Sequence, residues 1–390
     1  MRFIYLSIII FFVSLNLRPS ITSIGPLLDI IQTDLGMSGL AASLLTTLPV
    51  FCMGLFAILA IRLHNFLGIE RSLLLAMLLI LIATFLRLFV SSSVFLLTTA
   101  LFSGIGIGIA GPLISGFIKK YFPQNPGLTG LYSVSMVIGA AIASSFSVQL
   151  FQRTNNSWQQ SLSFWSILAV PAALLLLPLL KKRDTKKGSL SISALFIKNK
   201  RVNFFMLFFG CMAAIFYSIT AWLATIVQSM GLSHAQSGMF LTLFTVIQIP
   251  VSFLVPTLVS KKRNRKTWLL ICGFSELVGI VLLIMHVSPW VATIFLAIGA
   301  GGLFPLALLI PIEEASNIEE AISWSAKMQF GGYLLGSLGP VCMGFTIDLF
   351  DSFAPALFVL VIIIGIMLLT ILKIGNKIKS IEETVDNKVI

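Results

Sequence analysis

The chain has 390 residues, of which 57% are hydrophobic and only 10% are charged, and its mean hydropathy is +1.03. A soluble domain carries roughly a quarter charged residues, so this composition excludes a soluble protein and is typical of an integral membrane protein. The net charge of +12 does not indicate nucleic-acid binding, because the basic residues lie in short runs between long apolar stretches.

Long apolar segments follow one another along the whole chain. Residues 1–16 resemble a signal peptide, but no small-residue cleavage site follows them, so we interpret them as part of a retained first helix. A helix needs about 20 mostly apolar residues to cross the hydrocarbon core. Twelve segments of this kind are predicted, at residues 4–28, 38–61, 72–90, 94–118, 127–151, 159–180, 202–228, 235–259, 267–286, 289–312, 322–347 and 353–373.

A basic polar stretch divides these segments into two groups of six. The sequence therefore predicts an all-α membrane protein built from two similar six-helix bundles. We expect the N-terminal bundle at 1–180, a basic linker at 181–201, the C-terminal bundle at 202–373 and a tail at 374–390.

The distribution of basic residues predicts the topology. Cytoplasmic loops collect Lys and Arg, and placing both termini in the cytoplasm puts every basic residue there except Arg18, Arg87 and Arg153. We therefore predict two cytoplasmic termini and a multi-pass location in a bacterial inner membrane, with lipid as the surrounding partner.

The two groups of segments also resemble each other. A shift of 193 residues superimposes four glycines and prolines of the first half on four of the second. This pattern indicates a parallel duplication with a cavity between the halves, although Gly and Pro recur in any membrane helix. The matched positions are Gly106, Gly108, Pro112 and Gly139 with Gly299, Gly301, Pro305 and Gly332.

The segment Asn16-Leu-Arg-Pro-Ser-Ile-Thr-Ser-Ile-Gly-Pro-Leu-Leu28 resembles the first-helix signature of the cyanate permease and nitroimidazole transporter family, a branch of the major facilitator superfamily. Residues 44–50, 104–112 and 329–340 resemble the same family. The resemblance implies the major facilitator fold and secondary transport by alternating access. One departure is Asn65, which stands where the superfamily loop motif has an aspartate, so the gating salt bridge of that motif is not carried over.

Arg18 is the most informative charged residue, because it lies midway in the first segment. An arginine at the bilayer centre costs about 2.5–3.5 kcal/mol on insertion scales and usually faces the bundle interior. Its planar guanidinium suits an anionic solute; alternatively, it bridges helices through carbonyls or amides such as that of Asn16. Pro19 removes a backbone donor, which is expected to leave a carbonyl free to face the cavity.

Other polar and aromatic residues lie in helices that are expected to line the cavity. Small-solute sites combine apolar walls with a few placed donors, although each such residue alone is more often a helix-packing contact. The candidate solute-binding residues are Arg18, Asn16, Thr22, Ser23, Tyr132, Tyr217, Trp222, Gln248, Gln329 and Tyr333.

Glycine and proline positions are candidates for gating. Small residues let neighbouring helices approach closely and slide, and prolines can bend a helix between two states. The candidates are Pro19, Gly104, Gly108, Pro112, Gly301, Pro305 and Gly332.

Three further charged residues lie within or near the predicted spans. Glu276 is near the centre of the ninth segment and is a candidate proton site. Because the resemblance implies a peripheral ninth helix, a structural or interfacial role is the alternative. Arg87 and Arg153 lie near outer ends and are interpreted as interfacial anchors.

The cysteines and histidines show no metal-ligand spacing, and no phosphate-binding loop or catalytic motif is present. We therefore expect no metal, no cofactor and no enzymatic activity. The leading hypothesis is a monomeric secondary transporter for a small polar or anionic solute, with a proton as a candidate co-substrate. The alternative is a proton-linked efflux pump for drug-like compounds.

Overall fold

A computed structural model describes residues 2–37, 39–125, 128–181, 200–232, 234–262, 264–350 and 352–376. Most of the predicted linker and tail lies outside these ranges, and within them the regular secondary structure is helical. The α-helices are α1 Arg2–Leu15, α2 Pro19–Thr22, α3 Leu28–Asp34, α4 Gly39–Ala57, α5 Leu59–Leu67, α6 Ile69–Phe85, α7 Ser93–Tyr121, α8 Thr129–Arg153, α9 Trp158–Phe164, α10 Ala169–Leu176, α11 Lys200–Ser229, α12 His234–Lys262, α13 Arg265–Ile284, α14 Pro289–Glu314, α15 Ile318–Phe350 and α16 Phe353–Ile374.

Helices that could span a membrane occur along the whole described chain. Ten helices in the described residues are long and apolar enough to cross a membrane, and an eleventh is present if α4 and α5, which meet at a bend of 53°, form one span. The predicted segment 322–347 lies in α15, which has 33 residues and is not among the ten. The count of twelve spans therefore stays a prediction.

The first span is broken next to Arg18. Helix α1 ends at Leu15 and α2 begins at Pro19, whose nitrogen cannot donate the hydrogen bond that would continue a helix. The carbonyl of Leu15, which loses that bond, lies against the Cα of Gly139 in α8. The expectation that this carbonyl faces the cavity was wrong. Gly139 has no side chain, so the Leu15 carbonyl packs against the backbone of α8 instead.

The same glycine contact occurs in both halves of the chain. A Cβ atom added to Gly108 of α7 would lie 2.9 Å from the Cα of Met53 in α4, and one added to Gly301 of α14 would lie 3.0 Å from the Cα of Gln248 in α12. Both glycines therefore hold a neighbouring helix at backbone contact. These are positions that the 193-residue shift relates.

An ion pair joins α6 to α7 at the end of the bundle nearest the gap at 182–199, which we call the linker-side end. Lys120 donates to the carboxylate of Glu70 at 2.8 Å, and the hydroxyl of Tyr121 donates to the same oxygen at 2.6 Å. Glu70 is buried, so these two hydrogen bonds replace the hydration of its carboxylate and offset the cost of desolvation.

The second half carries the corresponding ion pairs with the charges exchanged between helices. Arg265 at the start of α13 donates to Glu313 at 3.0 Å and also to Glu314. Arg201 of α11 pairs with Glu314 and donates to the carbonyl of Ile374 at 2.8 Å.

The two groups of helices contact each other toward the linker-side end. Helix α15 packs against α4 and α7, and α12 packs against α8. Lys119 of α7 donates to the carbonyl of Ile312 in α14 at 3.0 Å, and Gly116 of α7 faces the side chain of Ile322 in α15. These contacts close the space between the groups on that side and leave a cavity near Arg18.

Candidate functional site

A small cavity lies where the first span approaches the helices of the second half. The space open to the centre of a water molecule is about 10 Å³, which is about enough for one water. Aromatic and apolar side chains provide most of the wall, and Arg18 provides the positive charge. The lining residues are Arg18, Met212, Ala213, Phe216, Tyr217, Ala300, Phe304 and Tyr333.

The backbone break in the first span positions Arg18. Arg18 is the N-cap residue of α2, and its carbonyl accepts the backbone N–H groups of Ile21 and Thr22 at 2.9 and 3.0 Å. Its side chain crosses to the second half, where Nη1 donates to the hydroxyl of Tyr217 at 3.4 Å. This long hydrogen bond is the polar link between the first span and α11 at the cavity.

Two aromatic rings flank the guanidinium of Arg18. Its central carbon lies 5.7 Å from the ring centre of Phe216 and 5.6 Å from that of Phe304. Rings within about 6 Å stabilise a cation through their negative faces, and no carboxylate of the described residues forms an ion pair with Arg18. A guanidinium stays protonated in proteins, and the cavity is therefore positively charged.

Two further tyrosines complete the polar character of this region. Tyr132 and Tyr333 are buried, and Tyr333 lines the cavity together with Arg18. Tyr333 meets Phe209 edge to face, with ring centres 4.9 Å apart. Of the residues that were proposed together from the sequence, Arg18, Tyr217 and Tyr333 line one cavity, whereas Tyr132 is not among its lining residues.

Three of the predicted site residues instead make contacts within the helix packing. The amide of Asn16 donates to the carbonyls of Phe12 and Leu168 at 2.7 and 2.8 Å, which ties α1 to the sixth predicted span. The indole of Trp222 donates to the carbonyl of Pro340 at 3.2 Å. Gln248 donates to a carbonyl of its own helix at 2.9 Å. None of the three lines the cavity around Arg18.

The hydroxyl residues of the first span lie beside the cavity without lining it. Thr22 donates to the carbonyl of Arg18 at 3.2 Å, which strengthens the turn that carries the arginine. Ser23 is fully buried, and its hydroxyl has no hydrogen-bond partner among the described residues.

Gln329 lies between the two groups of helices. Its side-chain oxygen lies against the Cα of Gly111 in α7, and its amide nitrogen has no partner among the described residues. The residue is buried, so it would gain water if α7 and α15 separated.

The candidate gating residues lie at close helix contacts. A Cβ atom on Gly104 would lie 2.7 Å from the Cα of Pro49, and Gly332 faces the ring of Phe209. Pro112 and Pro305 lie inside the continuous helices α7 and α14. These positions allow close packing, and their part in gating stays a prediction.

Glu276 is buried between α13 and α14, away from the cavity lining. Its side chain lies against the Cα of Gly299, and one carboxyl oxygen has no hydrogen-bond partner among the described residues. Ala300, which follows Gly299 in the chain, lines the cavity from the other side of α14. Across the part of the chain that the structure describes, no group of His, Cys, Asp and Glu could hold a metal ion.

Sequence reasoning missed the apolar half of the cavity. Phe216, Phe304 and Met212 line it, but apolar residues in membrane helices carry no signal of which face they occupy. For Phe216, adjacency to Tyr217 was the available signal, since neighbouring residues on a helix can share a wide cavity.

The sequence model of the protein family described as the Major Facilitator Superfamily matches residues 5–337 of this chain. This chain belongs to the major facilitator superfamily. It is 32% identical to the uncharacterized transporter YycB of Bacillus subtilis over 92% of this chain and 90% of that protein. It is 30% identical to the cyanate transport protein CynX of Escherichia coli, over 85% of this chain and 87% of that protein. The 2-nitroimidazole transporter of Escherichia coli is also 30% identical, with 86% of each chain covered.

Solved structures of the superfamily share this fold. The crystal structure of the transporter FucP in the outward conformation aligns with a TM-score of 0.74 and 13% identity, covering 96% of this chain and 100% of that one. The proton:xylose symporter XylE aligns with a TM-score of 0.76 and 14% identity, covering 98% of each chain. This major facilitator chain is therefore a multi-pass membrane transporter, and the predicted resemblance to the cyanate and nitroimidazole transporters is confirmed.

Proposed function

We propose that this major facilitator moves a small polar or anionic solute across the bacterial inner membrane by alternating access, and that the solute binds beside Arg18. The cavity lies between the two groups of helices, where rocking would open it to each side in turn. In this proposal both termini and the linker-side end are cytoplasmic, lipid surrounds a monomer, and the described contacts close the cytoplasmic side.

The observation that carries the proposal is the state of the Arg18 guanidinium. It makes a single hydrogen bond of 3.4 Å to Tyr217 and, among the described residues, no ion pair with a carboxylate. A desolvated guanidinium with unused parallel donors binds a small planar anion strongly. The relatives transport cyanate and a nitroimidazole according to their names, which fits a site for small solutes.

Uptake of an anion requires coupling. The membrane potential opposes the entry of one negative charge by about 2.3 kcal/mol per 100 mV. We therefore propose that a proton accompanies the solute or that a second anion leaves in exchange. Glu276, the candidate proton site, lies outside the cavity lining, so we propose a structural role for it and keep proton transfer as the alternative.

The direct test is uptake into proteoliposomes containing the purified full-length protein. Radiolabelled cyanate and other small anions are offered with and without an imposed proton gradient. Arg18→Ala is expected to abolish saturable uptake, and Arg18→Lys to retain part of it with weaker affinity. Arg153→Ala, at an exposed arginine, is the control for loss of positive charge. Uptake by Arg18→Ala equal to that of the parent protein would contradict the proposal.

The largely aromatic wall favours one second candidate, proton-linked efflux of drug-like compounds. Phe216, Phe304 and Tyr333 could stack on a neutral heterocycle without help from Arg18. In that case, substitutions of these rings would reduce transport more than Arg18→Ala, and loss of the gene would make cells more sensitive to such compounds.

A further inference from the structure

Arg87 is buried inside the helix bundle, although its position near the end of a span predicted a location at the membrane interface. It belongs to the 3-10 turn Leu86–Phe89 that follows α6, and it is 0% exposed. The prediction that Arg87 is an interfacial anchor was therefore wrong. The side chain turns into the bundle and reaches the first span, instead of extending to the membrane surface.

The hydrogen bonds of Arg87 leave one edge of its guanidinium unused. Nη1 donates to the carbonyl of Ser20 at 2.8 Å, a carbonyl on α2. Nε and Nη2 have no hydrogen-bond partner among the described residues. These two nitrogens form the edge that donates two parallel hydrogen bonds to a single acceptor group.

Among the residues that the structure describes, none forms an ion pair with Arg87. The ion pairs of the described residues involve other arginines and lysines. A buried charge without a partner is strongly unfavourable, because it loses its hydration and gains nothing in exchange. One neutral carbonyl does not compensate for that loss.

Three buried hydroxyl groups on the same two segments also have no hydrogen-bond partner within the described part of the chain. They belong to Ser20, Ser23 and Thr84, which are between 0% and 2% exposed. A spacing of three residues places Ser23 one turn from Ser20, and Thr84 one turn from Arg87, on the same side of each segment. Arg87 bonds to the carbonyl of Ser20, which joins the two segments, and we call Arg87, Ser20, Ser23 and Thr84 the Arg87 cluster.

We propose that the Arg87 cluster binds a small monovalent inorganic anion that is distinct from the transported solute. The guanidinium edge supplies two donors and the charge, and hydroxyl groups that lack other partners supply further donors. The cluster is fully buried and none of its members lines the cavity around Arg18, so the ion is a resident one and does not lie on the transport path. By neutralising Arg87, it would stabilise the broken turn that positions Arg18.

The test uses purified full-length Arg18→Ala protein, in which the cavity site is removed. Its thermal unfolding is measured at constant ionic strength while chloride replaces gluconate, an anion too large for a closed cluster. The midpoint temperature is expected to rise and to saturate with chloride. Crystals grown in bromide are expected to show an anomalous peak beside Nε and Nη2 of Arg87.

Variants of the cluster connect the effect to its residues. Arg87→Met in the same background is expected to remove the chloride dependence, whereas Arg153→Met should leave it unchanged. In case Arg87→Met does not fold, Thr84→Val and Ser23→Ala are milder changes. Each is expected to weaken chloride binding about tenfold, as loss of one hydrogen bond to a charged group does.

Two results would overturn the inference. One is an equal midpoint temperature in chloride and gluconate, which would mean that water alone fills the cluster. The other is an unchanged chloride dependence in Thr84→Val and Ser23→Ala. Because all these measurements are made without Arg18, they do not depend on the proposed transport function, and failure of one proposal is distinguishable from failure of the other.

Discussion

Arg18 and Tyr217 are 199 residues apart in the chain, yet the guanidinium of one meets the hydroxyl of the other at 3.4 Å. The bond spans the seam between the first span and α11, so it is made by the two groups of helices jointly. A movement of one group against the other must lengthen it. The proposed solute site and the seam between the two groups of helices therefore share a side-chain contact.

Removal of the Tyr217 hydroxyl tests its part in solute binding. Tyr217→Phe keeps the ring but removes the hydroxyl beside Arg18, and a hydrogen bond of this kind contributes about 0.5–1.5 kcal/mol, or roughly 2- to 12-fold in affinity. The dissociation constant of the transported anion should rise accordingly. The control is Thr220→Val in the same helix, since the Thr220 hydroxyl bonds to its own helix at 2.7 Å. Equal effects of both substitutions would argue against a role for Tyr217.

The size of the cavity predicts a change in selectivity. Phe304 lies beside Arg18 and closes the cavity, so Phe304→Ala should admit larger anions while weakening the hold on small ones. Competition assays with a series of carboxylates of increasing length measure this change. An unchanged order of preference in the variant would show that the cavity wall does not set solute size.

Backbone contact at Gly108 predicts a loss of stability. In Gly108→Leu, the new side chain would collide with the backbone of Met53, 2.9 Å from its Cβ, and separate α4 from α7. We expect poor yield and a lower unfolding temperature in detergent. Gly365→Leu is the matched control, because a Cβ atom at Gly365 meets nothing within 4 Å.

Substitution of Arg265 tests how much the linker-side ion pairs contribute to stability. It is 2% exposed and pairs with Glu313 and Glu314, so Arg265→Met removes one cation from both carboxylates, while Glu314 keeps its pair with Arg201. Removal of one member of a buried pair costs about 3–5 kcal/mol, which should lower the unfolding temperature strongly. Arg71→Met, at an exposed position, should have little effect. A double variant Arg265→Met/Glu313→Gln should recover part of the loss.

Substitutions of Glu276 distinguish its two candidate roles, as a proton site and as a structural residue. Since it lies outside the cavity lining, Glu276→Gln is expected to keep the fold and proton-dependent uptake. Glu276→Lys should unfold the α13–α14 contact at Gly299. If Glu276→Gln instead abolishes the response to an imposed proton gradient but keeps solute binding, the carboxyl group carries the coupled proton.

The sequence predicted the centre of the candidate site better than its periphery. An arginine in the middle of an apolar segment has few stable placements, so Arg18 indicated an interior location. Arg87 was misplaced because a residue near the end of a span can reach the membrane surface or turn inward. Only the tertiary contact with Ser20 distinguishes these two possibilities.

Polarity alone did not identify which residues face the cavity. Asn16 and Trp222 are polar side chains in helices near the cavity, yet both use their donors on backbone carbonyls of neighbouring helices. Hydrogen bonds between helices satisfy polar groups as well as a solute does. The reverse holds for Phe216 and Phe304, whose apolar side chains gave no indication of their position at Arg18.

The linker-side ion pairs have a consequence for the independence of the two halves. The pair of Glu70 with Lys120 and that of Arg265 with Glu313 each join helices on one side of the gap at 182–199. A chain cut within that gap would keep both pairs within its fragments. Two fragments produced as separate polypeptides in one cell are therefore expected to recognise each other by the shape of their glycine-lined surfaces, and their reassembly should depend little on ionic strength.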